Sequence, residues 1–305
     1  MESTAIALQK NGVEIVDTFA EAFPITCARV IITAISAAWA QIAATVMTGN
    51  ATSVIACDVE AAIERELSVD ETPDGRPGVA VLVFAFNRDE LGKALAGRVG
   101  QGVLTCPTTA CYNGIDGVPK EKQVSVGGQL RFFGDTHQSS KKLAGRRLWR
   151  IPVMDGEFLC EDRFGTVKGV AGGNLLICGV DQAAALSAAE HAASAIRRLP
   201  DVIHPFPGGI VRSGSKVGSR YKKLRASTND AYCPTLRAIV KSELPANAGA
   251  VYEIVIDGLS PEAVRAAMRA GLHAACATSG VVQVTAGNYG GKLGPFHFHL
   301  RELLD

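Results

Sequence analysis

Four times along this chain a β-branched apolar run is followed by a helical stretch and then a second apolar run. That recurrence restricts the fold more than any other feature. In the first instance Ala28–Ala34 reads as a strand, Ser36–Met47 as an alanine-rich helix and Ser53–Cys57 as the returning strand. In the second, Val79–Phe86 is the strand. Asn87 caps a helix over Asp89–Val99 with acidic residues in its first turn, and Gly102 leads into a strand over Val103–Cys106. The third runs from Asn174–Cys178 through a helix over Gln182–Arg198 to Asp201–His204; Arg197 and Arg198 suit the negative helix end and Pro200 stops it. The fourth opens with Val251–Ile256. Its helix starts at Ser260-Pro261-Glu262 and runs to about Ala277, and Gly280 leads into Val281–Thr285.

Units paired two and two point to an internal duplication. Two strand–helix–strand units interleave as βαββαβ, so the expected class is α+β with two ferredoxin-like (βαββαβ) lobes related by internal duplication. The lobes are expected at residues 1–150 and 151–305, with the boundary near the strand candidates Arg147–Val153 and Glu157–Cys160. The last two units share an ending: Gly208-Gly209 is followed by Ser215-Lys216-Val217-Gly218, and Gly290-Gly291 by Lys292-Leu293-Gly294. A Rossmann arrangement is disfavoured because no GxGxxG follows the first strand.

At 305 residues with 47% hydrophobic residues the chain can build two proper cores. A charged fraction of 20% and a net charge of +1 argue against nucleic acid as a partner and against disorder. The eight cysteines are scattered, form no CxxC and sit mostly in apolar runs, which reads as a reducing, cytoplasmic compartment without a disulfide framework. The opening residues MESTAIALQKNG lack the basic start and apolar run of a secretory leader. Val30–Met47 has about the minimum length of a membrane span, but Ser36, Gln41 and Thr45 interrupt it, so a strand running into a core helix is expected and no membrane partner.

Between the third and fourth units lies a long polar loop, Pro205–Pro234, which carries Gly208, Gly209, Gly214 and Gly218 and the run Ser227-Thr228-Asn229-Asp230. A loop of this length inside a compact domain is either functional or disordered. Ile210, Val211, Tyr221 and Tyr232 make it an ordered binding loop. Within it, GIVRSGSK has the outline of a P-loop. Ser215 separates Gly214 from Lys216 and Val217 follows, so ammonium and hydroxyl cannot serve phosphate and magnesium, and nucleotide hydrolysis is rejected. The glycines either let backbone approach a ligand or simply make a tight turn. Arg212, Lys216, Arg220, Lys222, Lys223 and Arg225 form a solvated loop or a groove for a small polyanion.

His297 and His299 alternate on a probable strand and face one side; they begin a metal site only if a third ligand joins them, and a half-exposed strand face explains them as well. Cys233 has no His near it in sequence, and no GxSxG elbow or Ser/His/Asp order is present. Glu253 is the most informative carboxylate. It sits in Val251-Tyr252-Glu253-Ile254-Val255-Ile256, sharing a face with Val251 and Val255. Such a carboxylate must pair with a cation or keep its proton. The first makes it a structural ion pair; the second makes it a neutral acid able to donate to a developing oxyanion.

Several long stretches resemble one family in order along nearly the whole chain. They are Asn11–Ile15, Asp17–Phe23, Glu71–Gly78, Gly169–Asn174, Pro205–Val211, Ser215–Ser219, Ala226–Pro234, Val251–Ile256 and Ala286–Gly294. The chain is identified by them as similar to the formylmethanofuran:tetrahydromethanopterin formyltransferases. The resemblance implies transfer of a formyl group between the amine of methanofuran and N5 of tetrahydromethanopterin, with these carriers as substrates and no prosthetic group or metal. It further implies a homotetramer built as a dimer of dimers. A charge of +1, where family members are often strongly acidic, points to the bacterial form, the D subunit of a formyltransferase/hydrolase complex in formaldehyde oxidation and methylotrophy. Glu253 matches the family's active-site glutamate. Gly208, Gly209, Ser215, Lys216, Ser227, Thr228, Asn229 and Asp230, with Asn288, Gly290, Gly291 and Lys292, are the candidates for holding the two carriers. A non-catalytic carrier-binding subunit of the complex and a pterin-binding module of other chemistry stand as alternatives.

Overall fold

In a computed structural model, residues 8–143 and 145–304 are described, so part of the leader reading, residues 1–7, lies outside the described residues. The chain divides into two compact units: residues 25–169, and everything described up to Pro24 together with everything from Val170 onward.

The first unit begins with β1 (Phe19–Thr33), of which residues from 25 onward belong here. Ser36 then caps α1 (Ala37–Met47) by accepting from the Trp39 amide. After β2 (Glu60–Leu67) and β3 (Gly78–Ala85), Asn87 caps α2 (Arg88–Arg98) and β4 (Ala110–Asn113) closes the set. β1 pairs antiparallel with both β3 and β4, and β3 with β2, giving the order β4-β1-β3-β2. Alternation sends Val30, Ile32, Val81 and Val83 to one face, where Ala40, Ala43, Ala44, Met47, Leu91 and Leu95 of the two helices cover them. The strands Gly156–Glu161 and Arg146–Val153 extend the unit beyond β4.

In the second unit, β5 (Val167–Gly179) is followed by α3 (Gln182–Ile196), capped by Asp181, and by the short β6 (Val202–Ile203). β7 (Ala250–Gly258), α4 (Pro261–Cys276) capped by Ser260, and β8 (Val281–Thr285) complete it. β5 pairs antiparallel with β7 and β8, and β6 with β7, so the order is β8-β5-β7-β6. The strand Val13–Ile15 adds to β8 in parallel. Ala185, Ala188, Ala189, Ala192 and Ala193 let α3 lie close on Leu175, Ile177, Ile254 and Ile256. The opposite face of this sheet lies away from α3 and α4, and the candidate site residues are sought there.

Two sequence expectations are corrected. Ser53–Cys57 is a turn, and the returning strand is β2, over Glu60–Leu67. β2 reads as too charged for a strand, but Glu64 is paired with Arg29 at 2.7 Å and Glu60 accepts the Val54 amide at 3.1 Å. Val103–Cys106 continues the α2 end as a wide helical turn, and the strand is β4, where Thr109 has already tied back to the Val103 carbonyl at 2.6 Å. Residues 151–169 pack with the first unit, and the N-terminal strands pack on β8 of the second. Among the described residues no helix is long and apolar enough to cross a membrane.

Candidate active site

On the face of the second unit away from α3 and α4 lies a cavity of about 360 Å³. Strand register builds its floor. Leu176 of β5 stands opposite Glu253 on one side and Thr285 on the other, so these three side chains form one row across the sheet. Ile254 and Ile256 turn the other way and are fully buried under the helices. Glu253 therefore has no freedom to leave the cavity face without pulling its neighbours out of the core.

The carboxyl of Glu253 has no hydrogen-bonding or ion-pairing partner among the described residues. Burial pushes its pKa up to about 7, well above the 4.5 of a free glutamate. By area the residue is only half-buried, since the cavity gives one side of it access to water, while the sheet and the surrounding loops desolvate the rest. Its backbone is clamped from the other edge: Val211 donates to the Glu253 carbonyl at 2.7 Å and accepts from its amide at 3.0 Å. That bridge delivers the next residues of the long loop to the cavity.

Ser215, Lys216 and Asn229 of that loop line the cavity beside Ala231 and Tyr232. Lys216 and Ser227 belong to a two-residue hairpin, Lys216–Val217 with Ala226–Ser227. Lys216 binds Asp230 at 2.6 Å; the lysine holds that carboxyl below the usual carboxylate range. The Ser227 hydroxyl donates to the Gly218 carbonyl at 2.8 Å, and Thr228 sits 3.4 Å from the Cys233 sulfur. Ser227, Thr228 and Asp230 thus hold the hairpin and the following turn rather than line the cavity. Gly208 and Gly209 lie outside the cavity too. They have φ of 65° and 84°, and a Cβ on Gly209 would fall 2.5 Å from the His204 ring, so close packing on that ring requires glycine.

The third wall is the segment after β8. Asn288 lines the cavity, and its side chain also ties to Thr18 Oγ1 at 3.0 Å and to the Phe19 carbonyl at 3.3 Å. Gly290 and Gly291 take φ of 68° and 74°, and Lys292 is exposed to solvent. The wall residue that faces Glu253 is Tyr289, next to Ser215. Burial first, then the charges of Glu253 and Glu21, push the Tyr289 phenol up, opposed by a hydrogen bond from Ser215. Tyr232 on the far side bonds Glu243 and Thr285, and burial followed by Glu243 raises it.

Sequence reasoning singled out Glu253, Ser215, Lys216, Asn229 and Asn288, and the fold brings these to one cavity. The candidate turn over residues 288–292 contains Tyr289 without singling it out, Tyr232 reads only as ordering the loop, and Glu243 and Glu21 were passed over. Glu21 is 1% exposed in the apolar run Phe19-Ala20-Glu21-Ala22-Phe23, the same signal that flagged Glu253. His297 and His299 flank Phe19 at ring distances of 4.7 and 5.2 Å. Among the described residues no group of three or more His, Cys, Asp or Glu is arranged to hold a metal.

Residues 8–153 match the family model described as formylmethanofuran-tetrahydromethanopterin formyltransferase, and residues 156–303 match its proximal-lobe model. The formylmethanofuran–tetrahydromethanopterin formyltransferase of Methylobacillus flagellatus is 58% identical, with 96% of this chain and 99% of that protein covered. The D component of the formyltransferase/hydrolase complex of Methylorubrum extorquens is 56% identical over 97% of each chain. The solved formyltransferase/hydrolase complex from Methylorubrum extorquens, in complex with methylofuran, contains a chain with a TM-score of 0.94 at 54% identity, covering 98% of this chain and 99% of that one. The solved formyltransferase from Methanosarcina barkeri has a TM-score of 0.92 at 52% identity, covering 97% and 100%.

Proposed function

Because this chain belongs to the formylmethanofuran–tetrahydromethanopterin formyltransferase family, we propose that the cavity over Leu176, Glu253 and Thr285 is where the formyl group changes carrier. The chain is a formyltransferase, moving a formyl group between N5 of tetrahydromethanopterin and the amine of methanofuran. The observation that carries the site assignment is Glu253, a carboxyl without a cationic partner, raised by burial to about 7 and set in the floor of a polar cavity.

Direct transfer between two nitrogens passes through a tetrahedral carbon. The acceptor nitrogen forms a bond to the formyl carbon, and the carbonyl oxygen takes up negative charge. The proton lost by the acceptor nitrogen goes to the leaving nitrogen, whose bond to carbon breaks. Neutral Glu253 donates a hydrogen bond to the oxygen while it is charged, and a preorganised donor in a water-poor site is worth about 10²–10³ in rate. Ser215, Lys216, Asn229 and Asn288 line the walls and are placed to orient the two carriers, which is where the remaining acceleration arises. The exposed residues Gly290, Gly291 and Lys292, with Ser227, Thr228, Asp230, Gly208 and Gly209, contribute by shaping the loops that bound it.

The order β4-β1-β3-β2 in one unit and β8-β5-β7-β6 in the other supports a ferredoxin-like duplication, with a lobe boundary near residue 150, a few residues before the first family-model match ends at residue 153 and the second begins at residue 156. The protein works in the cytoplasm as a homotetramer and docks hydrolase subunits, in keeping with the Methylorubrum extorquens relative, which is named as a component of such a complex. An assembly is supported by the outer face of α1, which has no charged residue and leaves Trp39, Ile42 and Val46 exposed in one stripe. The test is turnover by the purified chain with N5-formyl-tetrahydromethanopterin and methanofuran. Transfer that falls by two decades or more in Glu253→Ala is expected. Transfer that Glu253→Ala leaves intact removes the site assignment, and a folded chain inactive without its partners supports the carrier-binding alternative.

A further inference from the structure

Glu21 is an oddity that formyl transfer at Glu253 does not use. It is a carboxylate with 1% exposure, and no cation is bonded to it among the described residues. Its partners are backbone amides, all from one loop. Oε2 accepts from Tyr289 at 2.7 Å and from Gly291 at 3.1 Å; Oε1 accepts from Leu293 and, at 3.0 Å, from Gly294. Burial alone would raise this carboxyl, but four amide donors outweigh it and lower its pKa. A loop wound from Tyr289 to Gly294 around a single buried anion is fixed by that anion. The left-handed conformations of Gly290 and Gly291 are what allow four amides to point inward together, and Gly294 approaches the Ala22 backbone too closely for any side chain.

The same loop is pinned at its start. Asn174 accepts from the Gly287 amide at 2.6 Å and donates to the Gly287 carbonyl at 3.1 Å, and Asn288 ties to Thr18 and to Phe19 at the start of β1. Between these anchors stands Tyr289, whose backbone amide is the first of the four held by Glu21 and whose phenol lies in the cavity wall near Glu253. The phenol is hydrogen-bonded to Ser215, and when the serine hydroxyl supplies the hydrogen the phenol's own is free for a group inside the cavity.

We propose that Tyr289 is a second hydrogen-bond donor to the reacting formyl oxygen, and that Glu21 is its positioning residue, fixing the loop that aims Tyr289 beside Glu253. The inference rests on the reading of this cavity as the transfer site. A neutral phenol and a neutral acid flanking one oxygen form a two-donor oxyanion site from side chains alone. Glu21 never meets substrate; it sets where the phenol stands, and a displacement of about 1 Å at a donor costs roughly 10² in rate.

The experiment is a double-mutant cycle with Glu21→Gln, Glu21→Asp and Tyr289→Phe, run with chain labelled by 3-fluorotyrosine. Glutamine keeps the shape but turns its amide NH2, a donor, toward two of the four backbone amides, while aspartate keeps the charge with a shorter reach. The expected result is a kcat for formyl transfer lowered by roughly 10–100-fold in Tyr289→Phe and in Glu21→Gln, with KM changed less than threefold, and no further loss when the two are combined. The fluorine signal absent from Tyr289→Phe assigns Tyr289. It moves in both Glu21 variants while the signals of the other tyrosines stay. Losses that multiply in the combined variant overturn the proposal, as does a Glu21 variant of lowered rate whose Tyr289 signal has not moved. If Glu253→Ala leaves formyl transfer intact, the reading of the cavity fails by itself, and the fluorine signal still decides whether Glu21 positions Tyr289.

Discussion

Replacing Glu253 by glutamine should make the protein more stable at alkaline pH and leave it nearly unchanged in acid. The reason lies in the two values of one pKa: 4.5 in the unfolded chain and about 7 in the fold, where burial raises it. Below pH 4.5 the carboxyl is neutral in both states and burial costs nothing extra. Between 4.5 and 7 the unfolded chain has released the proton and the fold still holds it, so stability falls as pH rises. Above 7 the ionised group is buried without a partner and the whole cost stands. At 1.36 kcal/mol for each pKa unit, that cost is about 3 kcal/mol. An amide cannot ionise, so Glu253→Gln escapes it. Urea unfolding of both proteins at pH 4.5 and pH 8.5, at one fixed concentration, reads the effect as a difference of differences, in which every other titrating group cancels. The expected outcome is a gap between the variants that is larger by about 2–3 kcal/mol at pH 8.5. A gap equal at both pH values would refute the reasoning, because it would mean that Glu253 ionises as easily in the fold as in the open chain.

Three other comparisons, using four substitutions, test other parts of the account. Glu161 is buried and takes both Arg146, at 2.5 and 2.8 Å, and the Asn113 amide at 2.9 Å; Arg146→Ala should cost roughly 3–5 kcal/mol by urea unfolding, and a loss below about 1 would show the pair to be dispensable. Gly209→Ala places a Cβ against the His204 ring at a φ of 84° and should destabilise by more than about 1 kcal/mol, whereas Gly290→Ala meets nothing within 4 Å and should lose only the cost of its positive φ; equal losses on thermal melting would contradict the packing argument. Lys216→Ala removes a cation from the cavity wall and should raise KM for a carboxylate-bearing carrier several-fold with kcat little changed, checked by steady-state kinetics.

Most of the fold was legible because helix caps and strand alternation are local. Ser36, Asn87 and Ser260 stand as caps where the chain places polar residues before apolar periodicity, and each accepts from an amide three residues on. β2 was not legible: its Glu60 and Glu64 look like surface charges until Arg29 and the Val54 amide are brought to them by the fold. The same limit acted at the site. Glu253 was readable as a carboxylate that must be paired or protonated, and the choice between those needed only the absence of a neighbouring cation. Glu21 sits in an equally apolar run, but its four partners are amides more than 260 residues away, and backbone donors leave no mark in composition. The long loop was recognised as ordered; which of its residues line the cavity was decided by the single bridge from Val211 to Glu253, a tertiary pairing invisible in the loop itself.

The central claim, that Glu253 acts as a neutral acid, is tested most directly by the pH dependence of kcat/KM in the wild type and in Glu253→Gln. That ratio reports groups of the free enzyme, where burial sets the Glu253 pKa at about 7. The account predicts that wild-type kcat/KM falls above pH 7 by about tenfold for each further unit, as the donor loses its proton. It predicts a lower but level profile for Glu253→Gln over the same range, since an amide keeps its hydrogens and any titration of the substrates is common to both proteins. A wild-type profile that rises through pH 7, or a glutamine variant that keeps the same downward limb, would contradict it.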